Sequence, residues 1–471
     1  PESDESHRTS ASTPGEIDGD EVVGEDQRSG GDSCEPDQVR YGEHLDHTDS
    51  ATCQPAEKVT RTEQCCGEHA EKDSHESRLG GWQVRPSTGL RSARRSRMLP
   101  QGARRSERDM QGLICEGTTE DSVRLSNEIE LVGELAPRQV RVEIHAAGVC
   151  GSDMSCIHGK YYMPTPLVPG HEAAGKVVAV GSAVTYTQVG DHVVLSTFGN
   201  CGHCSDCEAG APGNCAVGMG GLAQPYTEGD QPLYNFANLG AFVQETVVSE
   251  NQCVPIPKEM PLASAALIGC GVMTGTGAVF NRARVGLGDS VVVIGAGGVG
   301  LNVIQAAKLV GAKQIIAIDR IAEKEKLATA FGATDFLVAE GDDFDAIGAV
   351  KALSGGGVHH AFEVVGHTGL LADAIQMTRA GGNICAVGVP DLTASVTYNF
   401  QSLHQNKNLM GIRAGGARPR KDFRTLADLY MKGMLKLDEM ISNTAGLDGL
   451  IPAFDAMRAG TEARTVLLPH G

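Results

Sequence analysis

The stretch that decides the fold is SVVVIGAGGVGLNVIQAAKLVGAKQIIAIDR, residues 290–320. It starts with a short apolar run, passes through a glycine-rich turn into a segment of helical periodicity, and ends in a second apolar run. A buried strand, a turn, an amphipathic helix and a second buried strand make one βαβ unit. This stretch therefore predicts a parallel sheet covered by helices.

Its turn carries glycines in the order G-x-G-x-x-G, at Gly295, Gly297 and Gly300, with Gly298 and Val299 between the last two. The first glycine permits a tight turn, the second lets a pyrophosphate approach the backbone, and the third allows close packing of helix on strand. The phosphates would sit on the free amides at the helix N-terminus. A glycine turn without a dinucleotide is the alternative, but strand, turn and helix together favour a dinucleotide site.

The second strand of this unit ends in Asp319, nineteen residues beyond Gly300. A carboxylate at this point accepts hydrogen bonds from the adenosine ribose, and it would repel a 2′-phosphate. The sequence therefore predicts NAD rather than NADP, a preference that the neighbouring Arg320 softens.

Helical and strand patterns alternate on the C-terminal side. Residues 322–333 and 370–379 have helical periodicity, while residues 335–339, 359–365 and 383–389 are short apolar runs typical of buried strands. This alternation predicts a doubly wound parallel sheet with right-handed crossovers, in an α/β protein.

The N-terminal side has a different pattern. Residues 139–147 alternate between apolar and polar, and residues 175–180, 191–197 and 241–248 are further β-rich runs between turns. We therefore expect a mainly antiparallel β domain before the parallel sheet, and we expect the chain after Gly416 to return to it.

Composition divides the 471 residues once more. Residues 1–109 are only about 21 % hydrophobic, against about 47 % for the rest, so the first segment cannot bury enough apolar surface to offset its chain entropy. We predict that it is disordered and dispensable for catalysis. Its arginine-rich part, residues 85–108, is open to two other readings, an interaction tail or a targeting sequence, and an over-extended translation start is a third possibility for the whole segment.

The remaining composition excludes several classes of protein. The net charge of −19 argues against a protein that binds nucleic acid by neutralising phosphates. The chain has no run of about 18 uninterrupted apolar residues, so we expect no membrane span. The first residues do not resemble a secretory signal, so we expect a cytoplasmic protein whose 14 cysteines are thiols or metal ligands.

A cysteine-rich loop carries the strongest metal signal. Cys201, Cys204, Cys207 and Cys215 have the spacing C-x2-C-x2-C-x7-C, and four thiolates can close a tetrahedral shell around zinc, which predicts a structural site. An iron–sulfur cluster or redox disulfides are the alternatives.

A second set of candidate ligands is dispersed along the chain. Cys150 lies in GVCGSD, His171 and Glu172 in PGHE, and Cys270 in LIGCGVMTG, each beside glycine at the end of an apolar run. Two thiolates and one imidazole would leave a fourth tetrahedral position open, as in a catalytic zinc site. Spacing alone does not join these residues, because a single buried cysteine is usually a packing residue.

Taken in order, GVCGSD, PGHEAAG, the four-cysteine loop, GCGVMTG, GAGGVG and Asp319 resemble the zinc-dependent alcohol dehydrogenases of the medium-chain dehydrogenase/reductase superfamily. The resemblance extends from about Met110 to Leu468. It implies a GroES-like catalytic domain over residues 110–271, completed by residues 417–471, and an NAD-binding Rossmann domain over residues 272–416.

The resemblance also implies roles for individual residues. Catalytic zinc would be held by Cys150, His171 and Cys270, with Glu172 as a transient or outer ligand. Asp153 would orient His171, and Ser152 would hydrogen-bond the alcohol oxygen and begin a proton relay. Further positions that match cofactor contacts, beyond the glycine turn and Asp319, are Lys324, Val387, Val389 and Arg464.

The implied activity is reversible hydride transfer between an alcohol and NAD, with two zinc ions per chain. Where relatives carry the outer histidine of the relay, this chain has Ser155, so the proton could leave through water or through His158. Gly151 stands where several relatives carry a pyrophosphate-binding cation, which suggests a looser cofactor clamp. Thr197 stands where many place a bulky aromatic residue, which predicts a roomy pocket for larger, secondary or aromatic alcohols.

The sequence is compatible with two other functions: a thiol-adduct formaldehyde dehydrogenase of the same fold, and a non-catalytic binding or structural relative. The expected partner is a small alcohol or aldehyde. We also expect a homo-oligomer, and the length of the segment between Cys215 and Phe242 favours a dimer over a tetramer.

Overall fold

The computed structural model describes residues 109–218, 222–341 and 343–471. The segment predicted to be disordered, residues 1–109, lies outside this range apart from Asp109. The strands of the described part are β1 (Met110–Cys115), β2 (Val123–Leu131), β3 (Gln139–Gly148), β4 (Leu167–Val168), β5 (Glu172–Val180), β6 (His192–Leu195), β7 (Tyr226–Glu228), β8 (Gln231–Asn235), β9 (Glu245–Ser249), β10 (Cys253–Pro255), β11 (Ser290–Ile294), β12 (Gln314–Asp319), β13 (Asp335–Val338), β14 (Val358–Glu363), β15 (Thr378–Ala386), β16 (Asn408–Gly411), β17 (Ile441–Ala445) and β18 (Arg464–Leu467). The helices are α1 (Gly151–Ile157), α2 (Ser205–Glu208), α3 (Leu262–Ala266), α4 (Gly271–Gly277), α5 (Gly298–Leu309), α6 (Glu325–Phe331), α7 (Ala346–Ser354), α8 (Thr368–Met377), α9 (Phe400–Leu403), α10 (Pro419–Met431) and α11 (Leu450–Ala459).

Six parallel strands form the sheet that the alternating pattern predicts, in the order β13-β12-β11-β14-β15-β16. Every residue of β11 is buried, because the strand lies between β12 and β14 and is a continuous apolar run. The chain reverses the direction of strand addition between β11 and β14, which makes this the switch point where a dinucleotide binds in doubly wound sheets. The doubly wound prediction is confirmed, and the glycine turn lies at the carboxyl end of the central strand.

The β-rich part consists of a closed barrel, β1-β2-β7-β8-β4, and a sheet in the order β10-β6-β5-β3-β18-β17, with β9 also paired to β3. Most of its pairings are antiparallel, as predicted; β4 with β8 and β17 with β18 are parallel. In β3 buried and half-buried residues alternate from Gln139 to Ala146, so one face of the strand lies in the core.

The end of the chain joins this sheet, because β18 pairs with the end of β3 through Val466 opposite Gly148. The pairing brings Arg464, the first residue of β18, close to the residues that follow β3. It supports the proposal that residues 417–471 complete the catalytic domain.

The long segment between Cys215 and Phe242 contributes β7 and β8 to the barrel of its own chain.

Two helices pack closely where the parallel sheet meets the β-rich part. A side chain at Gly275 in α4 would begin 2.6 Å from the Val299 carbonyl oxygen in α5, so only glycine permits this approach. The approach places the start of α4, next to Cys270, near the start of α5.

The apolar helices of this region also bear on the membrane prediction. Within the described ranges no single helix is long and apolar enough to span a bilayer. One pair, Leu262–Gly269 with Gly271–Ala283, reaches the required length and composition only when joined across a 55° bend.

Candidate active site

Four dispersed side chains meet at one point, and their potential ligand atoms all lie within 4.8 Å of one another. Cys150 lies between β3 and α1, His171 and Glu172 lie at the start of β5, and Cys270 directly precedes α4. The structure therefore joins the residues that spacing alone could not join.

Asp153 fixes the orientation of the His171 ring. Its Oδ1 is 2.7 Å from His171 Nδ1, and its Oδ2 accepts a hydrogen bond of 3.0 Å from the Cys150 backbone N–H. Burial opposes protonation of His171, but the charge and hydrogen bond of Asp153 outweigh it and raise the pKa of the imidazole. Nδ1 is thus occupied and Nε2 points into the cluster, as in a carboxylate–histidine–metal arrangement.

Glu172 is fully buried behind the cluster. Arg464 Nη1 lies 3.3 Å from Glu172 Oε1, but neither carboxylate oxygen has a hydrogen-bond partner. Burial raises the pKa of Glu172 to about 8, against the opposing charge of Arg464. One carboxylate oxygen of Glu172 lies within reach of the other potential ligand atoms of the cluster.

The two cysteines of the cluster shift each other's pKa in opposite directions. A hydrogen bond from Cys270 holds the pKa of Cys150 well below its ordinary value, against the effect of burial, and the same bond raises the pKa of Cys270. A divalent metal would take the place of that shared proton.

The donor set fits zinc. His171 Nε2 is buried without a hydrogen-bond partner, which is costly unless a ligand is bound there. Two sulfurs and one imidazole nitrogen are ligands that zinc prefers, and they leave a position for a water or a substrate oxygen. The arrangement is that of a catalytic rather than a structural site.

The second predicted site is also assembled. The sulfurs of Cys201, Cys204, Cys207 and Cys215 lie within 4.8 Å of one another. Backbone N–H groups point at them: a hydrogen bond from the Cys201 N–H lowers the pKa of Cys215 to about 7, and one from the His203 N–H lowers that of Cys201. These lowered pKa values favour the thiolate form that binds zinc at Cys201 and Cys215. At Cys204 a hydrogen bond from the Cys207 N–H is outweighed by the neighbouring thiols, which raise the pKa to about 11. The His203 side chain instead lies 2.9 Å from the Cys201 carbonyl oxygen, outside the group of four sulfurs.

The glycine turn has the form of a dinucleotide cradle. Gly295 has a φ of 104°, and a side chain at Gly300 would begin 1.8 Å from the Gly295 carbonyl oxygen. At Gly297 a side chain would meet no atom within 4 Å, so open space lies over the start of α5. The fold therefore needs glycine at two of the positions, while the third leaves room for a phosphate.

Asp319 closes the far side of this cradle. Its Oδ2 accepts a 2.8 Å hydrogen bond from the Ala296 N–H and a 3.0 Å hydrogen bond from Lys324 Nζ. Arg320 is exposed beside it. The predicted ribose carboxylate and the two basic residues are thus together at the end of β12.

Arg464 connects the cradle to the metal cluster. Its guanidinium packs so tightly that a side chain at Gly298 would begin 2.3 Å from Nε, and one at Gly271 would begin 1.9 Å from Nη2. It donates to the Val149 carbonyl oxygen at 2.9 Å, while Nε is buried without a partner. The guanidinium is paired with Glu172 through Nη1, but its Nε donor, free at the start of α5, suits an anionic ligand.

Val387 and Val389 follow β15, beside the cradle; Val387 is buried and Val389 is exposed. They stand on the segment next to which the resemblance implies the nicotinamide.

Three hydroxyl groups lie near one another on this side of the chain. Ser152 and Ser155 are both half-buried on α1; burial raises the pKa of Tyr161, and these two neighbouring hydroxyls oppose that rise. His158, by contrast, is paired with Glu120 at 3.2 Å, and Glu120 is bonded to Arg458. His158 is thus engaged by an acid, and Tyr161 is a further candidate to continue from Ser152.

Two aromatic rings line the same side of the cluster. Phe236 meets His171 edge to face with ring centroids 5.4 Å apart, and Tyr161 stacks on Phe236 at 6.0 Å. Sequence reasoning missed both rings, because neither lies in a motif, and it missed the buried Glu363 at the end of β14. A glutamate that ends an apolar strand and precedes V-V-G, as Asp319 ends its strand, is the signal that could have identified Glu363.

Comparison with known proteins agrees with this geometry. Residues 136–258 match the model of the alcohol dehydrogenase GroES-like domain, and residues 298–432 match that of the zinc-binding dehydrogenases. The fold and its sites define a zinc-dependent oxidoreductase with a nicotinamide cofactor.

Individual relatives are similar over most of their length. The chain is 35 % identical to alcohol dehydrogenase-like 6 of Arabidopsis thaliana, over 70 % of this chain and 89 % of that protein. It is 33 % identical to the S-(hydroxymethyl)glutathione dehydrogenase of Paracoccus denitrificans, over 72 % and 95 %. The crystal structure of benzyl alcohol dehydrogenase from Acinetobacter calcoaceticus is 31 % identical, with a TM-score of 0.72 over 76 % of this chain and 99 % of that one. The chain belongs to the zinc-dependent alcohol dehydrogenases of the medium-chain dehydrogenase/reductase superfamily.

Proposed function

We propose that the protein oxidises a large, aromatic or secondary alcohol to the corresponding aldehyde or ketone, reversibly, with NAD. We infer the substrate class from two aromatic rings near the cluster: Phe236 packs edge-on against His171, and Tyr161 stacks on Phe236. Stacked and edge-on rings offer a face on which another ring packs favourably. The likeness to a benzyl alcohol dehydrogenase and the small side chain of Thr197 support the same class.

The residues of the proposed site have separate roles. Cys150, His171 and Cys270 supply the ligands for zinc, and Glu172 stands behind them. Zinc held there would provide a Lewis acid for the substrate oxygen, and NAD in the glycine cradle would provide a hydride acceptor. Asp153 keeps His171 in the tautomer whose Nε2 faces the cluster, and Ser152 takes the proton of the alcohol.

NAD is proposed over NADP because Asp319 would face the 2′ position of the adenosine ribose. One oxygen of Asp319 already accepts a hydrogen bond from Lys324 Nζ, so part of the negative charge of the carboxylate is neutralised. We therefore propose a preference for NAD rather than an absolute requirement.

The substrate class predicts a specificity profile. Benzyl alcohol is expected to have a kcat/KM at least about tenfold above that of ethanol, because each added buried methylene is worth about 10-fold or more in an apolar pocket. The measurement is NADH absorbance over a panel of primary, secondary and aromatic alcohols. Thr197→Phe is the matched variant: it should lower the benzyl-to-ethanol ratio about tenfold. A profile that peaks at ethanol contradicts the proposal.

S-(hydroxymethyl)glutathione is the second candidate substrate, favoured by the 33 % identity to a dehydrogenase named for it. The same panel separates the two, with formaldehyde plus glutathione as one arm. A kcat/KM for this adduct above that for every simple alcohol would favour the second candidate.

We infer that the proton leaves Ser152 through the Tyr161 hydroxyl and Ser155. Burial raises the pKa of Tyr161, so near neutral pH the phenol keeps its proton and can accept one hydrogen bond while donating another. Each hydroxyl accepts one proton and gives up its own, and the last proton passes from Ser155 to solvent water, so both serines and the tyrosine stay neutral.

This path predicts graded losses. Ser152→Ala should lower kcat about 100-fold, the usual size of a proton-transfer contribution, and Tyr161→Phe about tenfold, with less loss as the pH rises. Stopped-flow and steady-state pH profiles check this. His158→Ala is the control and should retain the wild-type kcat; the opposite ranking, with His158 the more sensitive, would overturn the path.

We propose that the chain forms a dimer. The edge strand β16 has no strand beyond it among the described residues, and large apolar side chains are exposed on this strand, on α9 and on the loop before α9: Leu409, Phe400 and Leu392. A monomer or tetramer mass in sedimentation equilibrium would contradict the dimer.

A further inference from the structure

The carboxylate of Glu363 lies buried at the end of β14, outside the motifs of the family resemblance. Its residue is 2 % exposed, and it pairs in the sheet with Ile294 of β11 on one side and Ala386 of β15 on the other. It therefore ends the strand that separates the glycine turn from the segment proposed to lie beside the nicotinamide.

One oxygen of this carboxylate holds the loop that follows. Glu363 Oε1 accepts hydrogen bonds from three successive backbone N–H groups, at 2.9 Å from Val365, 2.8 Å from Gly366 and 3.3 Å from His367. Successive amides that converge on one oxygen hold a loop in a single conformation. We name residues 364–367 the wedge loop.

The main chain of the same residue holds the second loop. The Glu363 carbonyl oxygen accepts from the N–H groups of Val387, at 2.8 Å, and Gly388, at 2.9 Å. One residue thus fixes the backbone after β14 with its side chain and the backbone after β15 with its carbonyl group.

The wedge loop is in contact with both neighbours. On one side, a side chain at Gly295 would begin 2.8 Å from Val365 Cγ2. On the other, a side chain at Gly388 would begin 2.0 Å from the Gly366 nitrogen, so the two loops pack backbone against backbone. Because the wedge loop and the loop after β15 are in close contact, a shift of one loop would displace the other.

We propose that Glu363 is a positioning residue that sets the separation between the glycine turn and the Val387–Val389 segment, and so matches the site to a whole nicotinamide dinucleotide. The inference rests on the proposed cofactor site. A ligand that spans both segments depends on their separation, whereas a ligand that reaches only the adenosine end does not.

The proposed role of Glu363 does not depend on its protonation state. Burial raises the pKa of Glu363, and the three amides oppose that rise. Oε1 can accept the same three bonds as a carboxylate, as the carbonyl oxygen of a neutral acid or as the carbonyl oxygen of a glutamine. Glutamine is therefore the conservative replacement.

The test compares two ligands on the purified, zinc-loaded chain. Binding of NADH is measured by fluorescence and binding of 5′-AMP by calorimetry. Glu363→Ala should weaken NADH at least about tenfold and 5′-AMP less than about twofold, whereas Glu363→Gln should stay within about threefold of wild type for both. Glu363→Asp has a side chain shorter by one methylene, so its carboxylate is withdrawn from the loop, and its NADH affinity should lie between those of the alanine and glutamine variants. If Glu363→Ala does not fold, Glu363→Asp replaces it in the test.

Glu250 is the matched control, because it is also buried and its Oε1 accepts from two backbone N–H groups, those of Thr185 and Tyr186, in the β-rich part. Glu250→Ala should lower thermal stability and leave the NADH-to-AMP affinity ratio unchanged. Equal weakening of both ligands by Glu363→Ala, or unchanged NADH affinity, would overturn the proposal. Both readouts are binding constants, so a chain that fails to oxidise alcohols would count against the proposed function and not against Glu363.

Discussion

Replacing His171 with alanine is expected to lower kcat by about a thousandfold or more and to leave NADH affinity within about twofold. In the proposed site the imidazole is one of three zinc ligands, and loss of a Lewis acid would remove several kcal/mol of transition-state stabilisation, at about 1.4 kcal/mol for each factor of ten. The glycine turn and Asp319 are not touched by the change. Steady-state kinetics and NADH fluorescence titration measure the two effects.

His203→Ala is the control for this experiment. His203 lies within the four-cysteine loop but bonds only to a backbone carbonyl group, so its loss should leave kcat near wild type. NAD-coupled activity that survives in His171→Ala would remove the basis for the catalytic zinc assignment.

Gly297→Thr is expected to lower NADH affinity at least about 100-fold without unfolding the protein. Gly297 is the N-cap of α5, with φ of −90° and ψ of −168°, a conformation that threonine adopts and a position at which it caps about as well as glycine. Its side chain would enter the open space over the helix start, where phosphates are proposed to lie. Thermal unfolding should shift by less than about 3 °C, while fluorescence titration reports the lost binding.

Gly300→Ala provides the contrast. Its new methyl group would collide with the Gly295 carbonyl oxygen, so stability and NADH affinity should fall together. If Gly297→Thr binds NADH as tightly as wild type, the cofactor does not lie over the start of α5.

Much of the fold was predictable because local pattern and tertiary structure agree. The apolar run Ser290–Ile294, with a glycine turn and a helix after it, indicates a buried strand, and alternation along β3 follows from one buried face. The four-cysteine site was equally accessible, because its ligands lie close together in sequence and short turns bring them together. Cys150, His171 and Cys270 needed a family resemblance, since 120 residues separate the first from the last and only the packed fold shows that they meet.

The parts that sequence could not supply depend on contacts between distant segments. The pairing of Phe236 with His171 and the two loops held by Glu363 have no periodicity and no spacing rule. His158, left open as a relay residue, is engaged by Glu120, a residue from a turn 38 positions earlier. The predicted disorder of residues 1–109 stays a prediction.

The zinc content of the purified chain distinguishes a chain with a catalytic zinc site from one without it. We expect two zinc ions per chain in the wild type, and one in His171→Ala, held by Cys201, Cys204, Cys207 and Cys215. In the wild type, removal by a chelator of the zinc proposed at Cys150, His171 and Cys270 should abolish NADH formation from alcohols, and added zinc should restore it. A wild-type chain that holds one zinc, or that keeps full turnover after this zinc is removed, would contradict the assignment of a catalytic zinc site.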